Sequence, residues 1–211
     1  MNIVILGYTG LIGDNILKNL AKNTSFNLIC VGRNTKNKPI LSSRIKYIRW
    51  NFISFKKTNL SFLKKVNIII NCVGKTHSNL NNLENINVTF VRKLIRYINN
   101  YKFKTRLIHL SSVSVYGNGK KYLGIKKIIS ENSAEYPTDI YSESKLKSDL
   151  LIQNVTKKNL NKNFSYTILR ISNVYGGKKK TNLYNFVIFS LKIGFWIKCS
   201  NQIMFNFINV N

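Results

Sequence analysis

Apolar residues recur along this chain in two rhythms. Short continuous runs at Ile3–Leu6, Asn27–Val31, Ile45–Trp50, Val66–Asn71, Thr105–Leu110 and Tyr166–Arg170 predict strands. Their lack of polar alternation predicts that both faces are covered. Between them, apolar residues return every three or four positions. Ile16, Leu17 and Leu20 share one face of a predicted helix over Asp14–Lys22. Val88, Val91, Leu94, Ile95 and Ile98 do the same over Ile86–Asn99. Tyr141–Val155 reads as a further long helix, and Met204–Ile208 as a seventh strand. Phe186–Cys199 is expected to be a helix followed by a strand. It is broken by Lys192 and Lys198 and falls short of the ~20 apolar residues of a membrane span. Strands alternating with helices predict an α/β fold built on a doubly wound parallel sheet. No repeat or Pro/Gly linker divides the chain, so one domain over residues 1–211 is expected.

The first run ends in Gly7-Tyr8-Thr9-Gly10-Leu11-Ile12-Gly13 and passes into the first helix. Gly7 allows a sharp turn, Gly10 a close approach to a pyrophosphate, and Gly13 tight packing of helix on strand. The helix start offers N–H groups to phosphate oxygens, so Thr9, Leu11 and Ile12 join the glycines as expected cofactor contacts. The bland alternative is a tight strand–helix turn with no ligand. The G-x-x-G-x-x-G spacing resembles the extended short-chain dehydrogenase/reductase family, whose fold is the Rossmann fold. That resemblance implies an NAD(P) cofactor.

The second strand closes with Cys30-Val31-Gly32-Arg33 and offers no acid for a ribose hydroxyl. A basic Arg33 suits a 2′-phosphate, so NADP is expected over NAD. Asn51 stands where the family carries an adenine-binding Asp. Asn71-Cys72-Val73-Gly74 ends the fourth strand, where the family runs backbone along the cofactor, which assigns Cys72, Val73 and Gly74 to that contact. Asn87-Val88 matches the family's N-V on the next helix.

Tyr141 and Lys145 lie four apart on one helix face. A free Tyr titrates near ~10, too high for proton transfer near neutrality. A neighbouring ammonium is expected to favour the phenolate and lower that value. The pair gains meaning from its neighbours in the chain. Ser111-Ser112-Val113-Ser114-Val115-Tyr116-Gly117 is similar to the family's S-S-x-x-V-Y-G. Pro137 to Leu146 is similar to its P-x-x-x-Y-x-x-S-K-L, and Leu169-Arg170-Ile171-Ser172-Asn173-Val174-Tyr175-Gly176 to its L-R-x-x-N-V-Y-G. The resemblance implies that Ser112, Tyr141 and Lys145 are catalytic and that Asn173 helps hold a sugar nucleotide. The implied reaction is hydride transfer at a sugar carbon, in an epimerase or a ketoreductase. Dehydratases of the family place an Asp-Glu pair after the active hydroxyl. Val113 and Ser114 stand there instead, which argues against that reaction.

Composition changes this picture little. Lys+Arg number 34 against 7 Asp+Glu, for a formal charge of +27. The lysines are scattered, which reads as compositional drift and not as a nucleic-acid tract. Cys30, Cys72 and Cys199 form no C-x-x-C pair and read as small apolar residues in a reducing compartment, so a cytoplasmic location is expected. His77 reads as a surface residue and His109 as core. No metal-ligand spacing is evident. From about residue 178 the chain is expected to begin a substrate-binding part of which the remainder, by resemblance, is missing. A homodimer through Ile86–Asn99 and Tyr141–Val155 is implied in the same way. Two other classes stand beside the enzyme: a dinucleotide-binding module without turnover, and a nucleic-acid binder acting through charge alone.

Overall fold

The computed structural model describes residues 1–35, 42–54, 60–76, 78–117, 129–157, 162–175 and 207–209. Six parallel strands form the main sheet: β1 (Asn2–Leu6), β2 (Asn27–Gly32), β3 (Ile45–Arg49), β4 (Ile68–Asn71), β5 (Thr105–Ser112) and β6 (Phe164–Ile171). Their order is β3-β2-β1-β4-β5-β6, so the chain winds outward in both directions from β1. This is a Rossmann-type doubly wound sheet, and its topological switch point lies between β1 and β4. Leu6 stands level with both Val31 and Asn71, so the carboxyl ends of the central strands share one edge.

The unbroken apolar runs follow from two covered faces. Along β1, Ile3 and Ile5 pack on one side with Leu17, Leu28 and Cys30. Val4 and Leu6 pack on the other with Ile69, Leu94, Ile98 and Ile152. The first side is covered by α1 (Leu11–Asn23), the second by α3 (Phe90–Asn100) and α4 (Ile140–Lys157). Trp50 sits among Phe52, Phe62 and Phe90 in tilted and edge-to-face ring contacts.

Two elements differ from the sequence expectation. The helix expected from Ile86 begins earlier, as α2 (Leu80–Leu83), and passes through a π-helical segment at Glu84–Thr89 before α3. A π turn carries an extra residue per turn, which periodicity counted at 3.6 does not register. Residues 207–209 do not extend the main sheet. They form β8 (Phe207–Asn209), parallel to β7 (Asn173–Tyr175) in a separate two-stranded sheet. The run Phe186–Cys199 and the expected boundary near residue 178 lie outside the described residues, as do His77 and Cys199. Among the described residues no helix is long and apolar enough to cross a membrane.

Candidate active site

The glycine loop lies at the carboxyl end of β1. Gly7 has φ of +79°, a region that side chains avoid. A Cβ there would stand 3.1 Å from the backbone of Cys72 and Val73. A Cβ on Gly13 would stand 2.5 Å from the Gly7 carbonyl oxygen and 2.9 Å from Tyr8 Cα. These contacts explain both glycines without any ligand. The ligand argument begins with Gly10, which caps α1 in extended conformation and makes no side-chain hydrogen bond to it. The first-turn N–H groups, at Leu11 to Gly13, therefore have no side-chain cap. Residues and geometry fit a dinucleotide pyrophosphate.

Three side chains meet at the ends of β4 and β5. Ser112 closes β5 and caps the short helical turn Val113–Tyr116, its Oγ accepting from Ser114 N at 3.2 Å. Asp139 and Ser142 cap α4 reciprocally. Ser142 N donates to Asp139 Oδ1 at 2.7 Å, and Asp139 N donates back to Ser142 Oγ at 3.1 Å. That cap fixes the first turn of α4 and so places Tyr141, which shares a side-chain hydrogen bond with Ser112. One turn on, Lys145 is buried, and its Nζ donates to the Leu110 carbonyl at 2.6 Å. A Cβ on Gly74 would lie 3.8 Å from the same Nζ. The ammonium thus sits beside the backbone that follows β4.

The electrostatics correct one expectation. Burial pushes the Tyr141 phenol above its ordinary range; the Ser112 hydrogen bond opposes this, while Asp139 and Asp149 add to it. Lys145 is not among the causes of this shift; its ammonium donates to the Leu110 carbonyl. Burial also brings Lys145 down to about 8, opposed by Asp149 and by Cys72.

Asn87 lies in the π segment and is buried. Its Oδ1 accepts from Lys75 N at 2.9 Å, and its Nδ2 donates to Lys75 O at 3.0 Å and Ser144 Oγ at 2.8 Å. It clamps the strand-end loop to α4. Beneath it, Asn71 Oδ1 accepts from Val73 N at 3.1 Å, which turns the Asn71 amide toward His109 Nδ1 at 3.0 Å. The donor on Asn71 makes Nδ1 the acceptor, so His109 carries its proton on Nε2. That proton faces Ser148 Oγ at 3.3 Å. His109 is fully buried, and burial holds it well below its ordinary value.

Comparison with known proteins gives this arrangement a family. The pattern of the NAD dependent epimerase/dehydratase family matches residues 3–191. The chain belongs to that family. A curated relative, ADP-L-glycero-D-manno-heptose-6-epimerase of Brachyspira hyodysenteriae, is 30% identical over 185 residues. The match covers 82% of this chain and 55% of the relative, so the chain spans about half of that protein's length. Among solved structures, UDP-glucuronic acid 4-epimerase from Bacillus cereus, in complex with UDP-glucuronic acid and NAD, superposes with a TM-score of 0.78 at 21% identity. It covers 100% of this chain and 69% of its own. DesIV, a dTDP-glucose 4,6-dehydratase from Streptomyces venezuelae, gives 0.78 at 17% identity, with 100% and 68% covered.

Within this family member, the remaining sequence-predicted residues fall at the same sheet edge. Arg33 is exposed directly after β2. Asn51 is exposed two residues beyond β3, its Oδ1 accepting from Ile53 N at 3.2 Å. Asn173 opens β7, just past β6. Cys72 is half-buried and Val73 buried at the end of β4. Sequence reasoning missed the layer formed by Asn71, His109, Ser148 and Asp149. Nothing in their spacing couples residues on three different elements. Among the described residues no group of three or more His, Cys, Asp or Glu could hold a metal ion.

Proposed function

We propose that this chain is the cofactor-binding and proton-transfer part of a sugar-nucleotide epimerase or ketoreductase that uses NAD(P). The observation that carries the reading is the joining of Ser112 to Tyr141, with buried Lys145 beside Gly74, at the edge that also holds the glycine loop. When bound, the nicotinamide supplies the hydride acceptor and donor. In this reading Gly7, Thr9, Gly10, Leu11, Ile12 and Gly13 receive the pyrophosphate. Cys72, Val73 and Gly74 line its nicotinamide side, and Asn87 holds that loop in place. Asn51 offers its amide to the adenine. Tyr141 exchanges the proton of the sugar hydroxyl, and Ser112 donates to the sugar oxygen as charge develops on it. Lys145 binds the nicotinamide ribose. Its release from the Leu110 carbonyl toward the cofactor would bring its charge to Tyr141 and ease loss of the phenolic proton. Asn173 contacts the sugar nucleotide.

Arg33 is the basis for preferring NADP, since its exposed guanidinium can pair with a 2′-phosphate. The solved relative above holds NAD, so the order of the two cofactors is a direct test. Calorimetric titration of the chain with NADP and NAD, beside Gly10→Trp, checks the site. Saturable binding abolished in the variant supports it, and binding unaffected by Gly10→Trp refutes it. Arg33→Ala should cost NADP about tenfold more affinity than NAD. Turnover of sugar nucleotides, lost in Tyr141→Phe, tests the chemistry.

A second reading is a dinucleotide-binding module without turnover. The raised Tyr141 phenol favours it. Cofactor binding with no turnover of any sugar nucleotide would select it.

A further inference from the structure

Arg170 sits near the carboxyl end of β6 and reaches three separate chain segments. Its Nε meets Asp149 Oδ2 at 3.2 Å, its Nη1 donates to Tyr116 Oη at 2.7 Å, and its Nη2 meets Glu135 Oε1 at 2.8 Å. The guanidinium carbon also lies 4.8 Å from the Tyr116 ring centroid. Each partner belongs to a segment that carries one of the reacting groups. Asp149 lies one turn beyond Lys145 on α4 and is fully buried, its Oδ2 also accepting from Ser111 Oγ at 2.9 Å. Tyr116 ends the helical turn that Ser112 caps. Glu135 belongs to the segment that runs into α4 just before Tyr141, and Tyr136 N ties that segment to Val115 O at 2.8 Å.

We propose that Arg170 is a positioning residue whose three-way contact sets Ser112, Tyr141 and Lys145 in one mutual arrangement. The proposal rests on reading those three as the reacting groups. Sheet hydrogen bonds hold β5 and β6 together, but they do not reach the turn after β5 or the segment before α4. The Arg170 side chain links both to β6. A planar fork with several donors serves three directions at once; an ammonium, a single point on a flexible stem, does not. The cluster is therefore more than a surface ion pair, whose worth is small. Asp149 is buried and Arg170 mostly covered, with 13% of its side chain exposed.

The test uses the full chain with Arg170→Met, Arg170→Lys, Tyr116→Phe and Glu135→Gln. The last two remove one contact each without opening the core. Amide hydrogen exchange on the unliganded chain is read first. Arg170→Met should speed exchange by about tenfold or more in residues 113–117 and 130–145, with β1 and β2 unchanged. Arg170→Lys should restore part of the protection, and Tyr116→Phe and Glu135→Gln should each give a smaller rise in the same two segments. Calorimetric titration with ADP and with NAD is read second. ADP uses only the glycine-loop side and should bind within about twofold of wild type, while NAD, which also needs Lys145, should lose about tenfold. Unchanged exchange in both segments, or a uniform rise across the sheet, overturns the proposal. An equal fall in ADP and NAD affinity overturns it as well. A wild-type chain that binds neither nucleotide refutes the dinucleotide reading instead, and the exchange pattern still decides the role of Arg170.

Discussion

His109 illustrates how one buried side chain can make the fold sensitive to pH. Its ring is fully covered and held neutral well below its ordinary value of 6.5. In the unfolded chain the same ring takes up a proton below about 6.5, while the native one does not. The unfolded state therefore binds more protons in that range, and stability falls as pH drops through it. Denaturant unfolding at several pH values should give a contribution approaching about 1.4 kcal/mol per pH unit below 6.5. His109→Gln should remove that contribution, and an unchanged slope in the variant would refute the account. Gly13 makes a second residue-scale case. A methyl there would stand 2.5 Å from the Gly7 carbonyl oxygen, a backbone atom that can move only with the whole loop. Gly13→Ala should cost about 1–3 kcal/mol in a urea titration. Because the loop must shift, NAD affinity should fall with it.

At the scale of elements, the helical stretch from Leu80 to Asn100 is the informative one. Its apolar stripe, with Val91, Leu94, Ile95 and Ile98 buried, is readable from the sequence and seats α3 on the sheet. Leu94→Ala should cost about 2–5 kcal/mol, as for other core truncations. The π segment ahead of that stripe is not readable in the same way. Its value lies in where it puts Asn87, whose amide reaches both the loop after β4 and Ser144 on α4. Asn87→Ala leaves the buried end of that clamp unpaired and should destabilise the fold by about 1–3 kcal/mol. It should also loosen the loop carrying Gly74, which calorimetry with NAD would register as weaker binding. Normal NAD affinity in a folded Asn87→Ala chain would remove Asn87 from the account of the site.

For the molecule as a whole, two properties remain to be assigned. The charge of +27 is spread along the chain, as expected of compositional drift. Any binding to duplex DNA should therefore be indifferent to sequence and should collapse between about 50 and about 200 mM salt. Fluorescence anisotropy with two unrelated duplexes checks this; a salt-resistant preference for one would make nucleic acid a specific partner. Self-association through the α3 and α4 faces is the other property. Leu80 and Leu150 are 57% and 43% exposed on that side of the fold. If the chain dimerises there, sedimentation should show a dimer that Leu150→Glu returns to monomer. A monomer at all concentrations in the wild type would exclude it.

The sequence by itself determined the alternation of elements, the parallel sheet and the family. Those properties depend on local patterns: continuous apolar runs, helical stripes, and motifs such as Gly7 to Gly13 that are contiguous in the chain. It also named Ser112, Tyr141 and Lys145, because each lies within a recognisable segment. The sequence could not place the Lys145 ammonium against the Leu110 carbonyl, nor show that burial pushes the Tyr141 phenol up. Nor could it join Asn71 to His109 or Arg170 to Asp149, Tyr116 and Glu135. Those contacts span tens of residues, and no periodicity links their ends. Only the tertiary packing, with α4 laid against β5 and β6, brings them together, and burial then holds His109 neutral.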